Sequence, residues 1–168
     1  EFVAYERLND AQKQAHDMIL EACRNRDNGI LSQTDGGEGI GRLQLLLGKG
    51  GTGKSFNLDA VITSVTNELN WTTSNYSKHG TTGIAATNIR GTTLQNWRDG
   101  LGFFGDSFHP LSTITLGKFQ EKWIDCKMII IDEYSMLRQK ELHFANERLK
   151  QIMCSDLPFG GLVVVLVG

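Results

Sequence analysis

The sequence predicts an α/β domain in which a mainly parallel sheet lies between two layers of helices. Three observations carry this prediction. Segments with helical spacing of apolar residues alternate with short strand-like segments. Two of those segments, KMIIID at 127–132 and LVVVLVG at 162–168, are continuous apolar runs, the pattern of strands buried on both faces. A glycine-rich stretch, GKGGTGKS at 48–55, stands between a predicted strand and a predicted amphipathic helix. The chain has 168 residues, enough for one core and too few for two, so residues 1–168 are read as a single domain.

The elements follow in order. From Asn9 to about Arg26, Ala11, Ala15, Met18, Ile19 and Ala22 fall on one helical face, and Asn9 with Gln12 three positions later forms a capped start. Residues 27–41 are polar and glycine-rich and read as an exposed surface insertion. RLQLLL (42–47) reads as a short buried strand, and the helix after the glycine loop carries Leu58, Val61, Ile62, Val65 and Leu69 on one face. WTTSNYS (71–77) reads as a second strand. Residues 82–98 predict a short helix, a tight turn near Gly91 and another short helix. Residues 99–112 are loop-like, and a helix is expected over 115–124. A further helix over 137–153 turns Leu142, Ala145, Leu149 and Ile152 inward.

Composition narrows the function classes. A net charge of −2 supplies no global basic field for nucleic acid, so any such contact is local. Cys23, Cys126 and Cys154, with His16, His79, His109 and His143, show no metal-site spacing and read as reduced thiols and ordinary histidines. No apolar run approaches the ~20 residues a membrane helix needs, so no membrane partner is expected.

The candidate chemistry sits at predicted strand ends. Gly48, Gly50, Gly51 and Gly53, with Thr52, let the backbone curl so that N–H groups face phosphate oxygens, and the helix starting near Lys54 adds its N-terminal partial charge. Lys54 reaches the β- and γ-phosphates, the Ser55 hydroxyl suits Mg²⁺, and Phe56 follows on the same turn. Lys49 is expected to be merely solvated. In MIIIDEYSM, Asp132 emerges from a buried strand where it can hold Mg²⁺, and Glu133 beside it can deprotonate an attacking water. That pair suits hydrolysis of the γ-phosphate. No Asn-Lys-x-Asp is present to read guanine, so the nucleotide is expected to be ATP.

Five segments in this order resemble the Pif-type DNA helicases, superfamily-one enzymes related to RecD. They are LNDAQ (8–12), GKGGTGKS (48–55), TTGIAATNIRGTTLQNW (81–97), IIIDEYSML (129–137) and PFGGLVVVLVG (158–168). The resemblance implies the three-layer, RecA-like P-loop NTPase fold, as the first of two motor domains. It implies ATP and Mg²⁺ as ligands, 5′-to-3′ translocation on single-stranded DNA, unwinding at duplex junctions, and work in DNA repair, recombination and telomere maintenance. It assigns Gln12 to the adenine edge, where a carboxamide offers a donor and an acceptor. It assigns Lys54 and Glu133 to catalysis, and Ser55 and Asp132 to the metal. The segment from Thr82 to Trp97 resembles the single-strand-binding element, with Thr82, Gly83, Asn88, Arg90, Thr93, Gln95 and Trp97 as candidate contacts. Arg90 would meet a phosphate and Trp97 a base, although an indole in this position also suits a core.

Two positions depart from the family pattern. Gln95 stands where many members have histidine, so a contact there is expected to be weaker and less sensitive to pH. Thr81 stands where proline is usual, which predicts a less rigid loop. Neither is expected to touch the hydrolytic site. The resemblance also predicts that a second RecA-like domain completes the site. The chain alone is therefore expected to be a monomer that binds nucleotide modestly and hydrolyses it poorly. An intracellular location is expected, nuclear or mitochondrial in a eukaryote.

Overall fold

In the computed structural model, residues 4–30, 42–103 and 105–168 are described. Among the described residues, five parallel strands form one sheet in the order β1-β5-β4-β2-β3: β1 (Leu43–Leu46), β2 (Tyr76–Gly80), β3 (Thr92–Thr93), β4 (Met128–Asp132) and β5 (Val163–Val167). The helices are α1 (Asp10–Asp27), α2 (Lys54–Leu69), α3 (Gly83–Asn88), α4 (Thr113–Trp123) and α5 (Gln139–Met153). This is the predicted three-layer α/β arrangement.

Strand alternation sorts the core into two halves. Ile129, Ile131, Val164 and Leu166 pack with Phe119 and Trp123 of α4 and with Phe144, Leu149 and Ile152 of α5. Met128, Ile130, Val163, Val165 and Val167 pack with Ile19, Leu20 and Cys23 of α1 and with Leu58, Val61 and Val65 of α2. The continuous apolar runs thus feed both halves at once. Each fully buried side chain of this size contributes about 1.5–3 kcal/mol. Cys23 and Cys126 are buried free thiols, both pushed up to about 12 by burial, whereas Cys154 is exposed.

Several elements differ from the sequence prediction. The buried stripe of α1 is His16, Ile19, Leu20, Ala22 and Cys23, while Met18 is exposed, because the helix is rotated to meet α2 and the sheet together. It also runs through Asp27, so the predicted insertion begins later. Residues 31–41 of that insertion lie outside the described residues. β1 is an edge strand, and only Gln44 and Leu46 are buried. The second strand begins at Tyr76. Asn75 and Thr72 close a turn ahead of it, with the Thr72 N–H donating to Asn75 Oδ1 at 2.7 Å and the Asn75 N–H to the Thr72 carbonyl at 3.0 Å. Turn chemistry overrides the β-propensity of the segment. Trp71 is buried, its indole N–H donating to Asp27. The second helix predicted within 82–98 is replaced by the short strand β3 and a turn in which Asn96 Oδ1 accepts the N–H groups of Arg98 and Asp99.

Candidate nucleotide site and nucleic-acid face

The strand register places the candidate residues on one edge of the sheet. Leu46 pairs with Val167, Val167 with Asp132, Asp132 with Gly80, and Gly80 with Thr93. The glycine loop leaves β1 just beyond Leu46, and the Gly48 N–H donates to the Gly168 carbonyl at 3.0 Å. Two strand spacings separate that point from Asp132, about 10 Å between backbones.

The loop is held largely by its own chemistry. The Thr52 hydroxyl donates to the Lys49 carbonyl at 2.8 Å, and the Lys54 ammonium donates to the Gly48 carbonyl at 2.6 Å. Lys49 itself is exposed, as predicted. Gly53 caps α2 at φ +83°, where a β-carbon would lie 2.5 Å from Gln12 Nε2. A side chain there would strain the backbone and strike the neighbouring helix. Ser55 is exposed on the first turn of α2, and Phe56 is half-buried, its ring 5.2 Å below the Arg7 guanidinium.

Gln12 has two structural duties. Its Oε1 accepts the Asn9 N–H at 3.0 Å to complete the capping box of α1, and its Nε2 donates to the Thr52 carbonyl at 3.1 Å. One N–H and one lone pair of the carboxamide remain for a base edge. Asn57, which the sequence analysis did not single out, donates through Nδ2 to the Gln12 carbonyl at 2.9 Å. A hollow of about 240 Å³ runs between Asn9, Gln12, Leu46, Thr52, Lys54 and Asn57.

Gly48 and Gly53 line this hollow, and Gly50 and Gly51 lie beyond it. Both are exposed at the crest of the loop, and a β-carbon on either would meet nothing within 4 Å. Thr52 and Lys54 take up the Gly48 and Lys49 carbonyls. Gly51 still needs to be glycine for its backbone, at φ +79°.

Asp132 ends β4 half-buried. Burial raises its pKa, and the Glu133 charge adds to the rise. The Glu133 backbone and the Lys54 ammonium oppose it. Asp132 therefore feels Lys54 across the edge of the sheet. Glu133 is exposed, at φ 55° and ψ 44°, where it starts the single helical turn Tyr134–Met136. A non-glycine residue in that region is uncommon and turns the side chain sharply out of the strand direction. Thr81 anchors the neighbouring loop to both acids. Its N–H donates to the Asp132 carbonyl at 3.2 Å and its hydroxyl to the Glu133 carbonyl at 3.0 Å. Thr81 therefore does touch the acid pair, contrary to the sequence expectation. Proline could not supply the N–H bond, so the loop gains an anchor rather than losing one.

The oxygen donors fit a hard cation. The Ser55 hydroxyl and one carboxylate are the modest protein share expected for Mg²⁺, which keeps waters and phosphate oxygens as its other ligands. Among the described residues no group of three His, Cys, Asp or Glu side chains is placed to hold a metal ion on its own. Also among them, no helix is long and apolar enough to cross a membrane.

The candidate nucleic-acid residues lie along α3, β3 and the turn that follows. Thr82 caps α3, its hydroxyl accepting the Ala85 N–H at 3.2 Å, and Gly83 follows, exposed. At the other end of α3, Asn88 and Arg90 line a small cleft with Ser55, Asp59 and Lys78. Thr93 is half-buried in β3, and Gln95 hydrogen-bonds Glu141 of α5. Trp97 is 47% exposed, its ring standing edge-on to Phe119 at 6.3 Å.

A glycine loop, a strand-end acid pair and a parallel sheet between helical layers define a P-loop nucleotide-binding domain. Residues 7–168 match the PIF1-like helicase family, and the chain belongs to it. It is 32% identical over 131 residues to the ATP-dependent DNA helicase Pif1 of Psychrobacter sp., a match covering 76% of this chain and 19% of that protein. The crystal structure of Pif1 helicase from Candida albicans superposes with a TM-score of 0.68 at 25% identity, covering 96% of this chain and 32% of that one. Pif1 helicase from Bacteroides in complex with ADP-AlF3 and ssDNA superposes with a TM-score of 0.57 at 26% identity, covering 89% of this chain and 32% of that one. The chain spans about a fifth of the length of the curated relatives it matches.

Proposed function

We propose that this chain is the nucleotide-binding motor domain of an ATP-dependent DNA helicase that moves 5′ to 3′ on single-stranded DNA and opens duplex junctions. The observation that carries the reading is the single row Leu46, Val167, Asp132, Gly80 and Thr93, which sets the phosphate loop, the acid pair and the start of the candidate DNA element side by side.

In this reading the loop N–H groups and Lys54 hold the β- and γ-phosphates, and Gln12 meets the adenine edge. Ser55 and Asp132 would hold Mg²⁺, which when bound would supply positive charge beside the phosphate oxygens. Glu133 accepts a proton from the water that attacks the γ-phosphorus, and ADP departs with the electrons of the broken P–O bond. A second RecA-like domain would close over the nucleotide and supply charge from the far side. Thr82, Gly83, Asn88, Arg90 and Thr93 would contact the DNA backbone, and Trp97 a base.

Calorimetric titration of the chain with ADP and Mg²⁺ tests the nucleotide half. Lys54→Ala is expected to weaken binding about a hundredfold, since charge-assisted bonds contribute about 1.5–3 kcal/mol. Equal binding by the variant would end the reading. Fluorescence anisotropy with labelled oligo-dT tests the DNA half.

A further inference from the structure

Arg148 is a cation sealed inside the protein. It is 2% exposed on the inner face of α5, between Ala145 and Leu149, which are fully buried. Burial of a charge is costly unless it is paired or fully hydrogen-bonded. No described carboxylate forms an ion pair with this one. Backbone carbonyls surround it instead. Nε donates to Leu101 O at 3.1 Å, and Nη2 donates to Gly102 O at 3.2 Å and to His109 O at 3.0 Å. Nη1 donates to Gln151 Oε1 at 2.9 Å, and the guanidinium lies 4.9 Å from the centre of the Phe108 ring. Gln151 in turn accepts the Leu111 N–H at 3.1 Å. One planar donor therefore ties together two stretches of irregular backbone, at Leu101 and Gly102 and at His109.

The first stretch is the seat of Trp97. Gly102 sits at φ +60°, and a β-carbon on it would lie 2.7 Å from Trp97 Cε3 and 2.7 Å from Phe119 Cζ. The indole thus rests directly on the Gly102 backbone. The carbonyl of the same residue is held from below by Arg148, and its N–H donates to the Asn96 carbonyl at 3.1 Å. Phe119 fixes the edge of the ring, and about half of the residue stays in solvent.

We propose that Arg148 is a positioning residue for nucleobase stacking, and that it acts through Gly102 on Trp97. The inference rests on the reading of Trp97 as a base contact. A guanidinium suits the task because its rigid fork fixes several carbonyl directions at once, which a single ammonium point charge does not. An aromatic platform stacks on any base, so its contribution depends on holding the ring at one angle rather than on base identity.

A double-mutant cycle tests this in the full chain, with fluorescein-labelled oligo-dT read by anisotropy and ADP–Mg²⁺ binding read by calorimetry. Trp97→Ala is expected to weaken oligonucleotide binding about tenfold. Arg148→Lys is expected to weaken it about fivefold in the parent chain and not at all in the Trp97→Ala background, with ADP affinity unchanged throughout. Gly102→Ala, which lifts the ring and leaves Arg148 in place, is expected to reproduce the fivefold loss. Should Arg148→Lys reduce binding equally in both backgrounds, or should Gly102→Ala have no effect, the positioning role is overturned while the Trp97 contact stands. Should Trp97→Ala bind oligo-dT as the parent does, or should the parent bind none, the Trp97 reading fails and this inference with it.

Discussion

The phosphate loop at 48–53 and the segment from Leu94 to Leu111 are both irregular, and both are read as ligand-facing, yet they are held by different means. The first is braced mainly from within, by Thr52 on Lys49 and by Lys54 on Gly48, with Gln12 as its long-range strut. The second hangs on side chains of α5 about forty residues later, Arg148 and Gln151, which grip its carbonyls and amides. A loop braced by its own residues carries its geometry in a contiguous motif. A loop gripped from elsewhere depends on the surrounding fold before it has a shape.

Three measurements test that contrast. The largest effect is expected from Arg148→Met, which leaves three carbonyls without their donor. It should lower stability by about 3–4 kcal/mol in urea denaturation while ADP affinity is retained. Loss of ADP binding at full folding would mean that the two regions are not independent.

Acid should separate the regions next. His79 lies fully buried in β2, stacked on Trp123 of α4 at 5.7 Å. Burial first, and Lys122 second, lower its pKa to about 4. The unfolded chain takes up that proton near pH 6.5, earlier than the folded chain. The stability attached to neutral His79 is thus complete above about pH 6.5 and is lost as pH falls toward 4. The expected loss is of order 2–3 kcal/mol, and His79→Leu should flatten the slope in that window. An unchanged slope would remove His79 from the account.

The smallest effect is expected at the strut. Asn9→Ala removes the cap of α1 and should cost about 1 kcal/mol by thermal denaturation. ADP binding should be nearly unchanged, because the backbone N–H at position 9 that anchors Gln12 Oε1 survives the substitution and only the Oδ1 acceptor of the Gln12 N–H is lost.

The same contrast explains how much the sequence revealed. The glycine loop with Lys54 and Ser55, and the strand end at Asp132 and Glu133, are legible as short motifs of fixed spacing, and the register sets the ends of β1 and β4 on one edge. The motif does not say how the loop is braced, which the side chains of Thr52 and Lys54 decide by bonding the Lys49 and Gly48 carbonyls. The two central strands were readable from apolar runs that serve both halves of the core. β1 misled because its leucines suggest burial, whereas an edge strand buries only alternate residues. The second helix expected within 82–98 is absent because Asn96 offers its side chain to the backbone, competing with helix formation. Thr81 was misjudged because its partners belong to a different strand. Arg148 did leave a trace in the sequence. It falls on the buried stripe of α5 with Ala145, Leu149 and Ile152, and a charge on such a face implies a cage of acceptors supplied from elsewhere.

The double engagement of Gln12 has a further consequence. One carboxamide both closes the first turn of α1 and tethers the glycine loop at Thr52. Any ligand that draws the loop inward therefore pulls on the opening turn of the first helix. Amide protons at Gln12 and Lys13, bonded to Asn9 Oδ1 and O, become natural reporters of occupancy, and their exchange with solvent should slow as the loop fills.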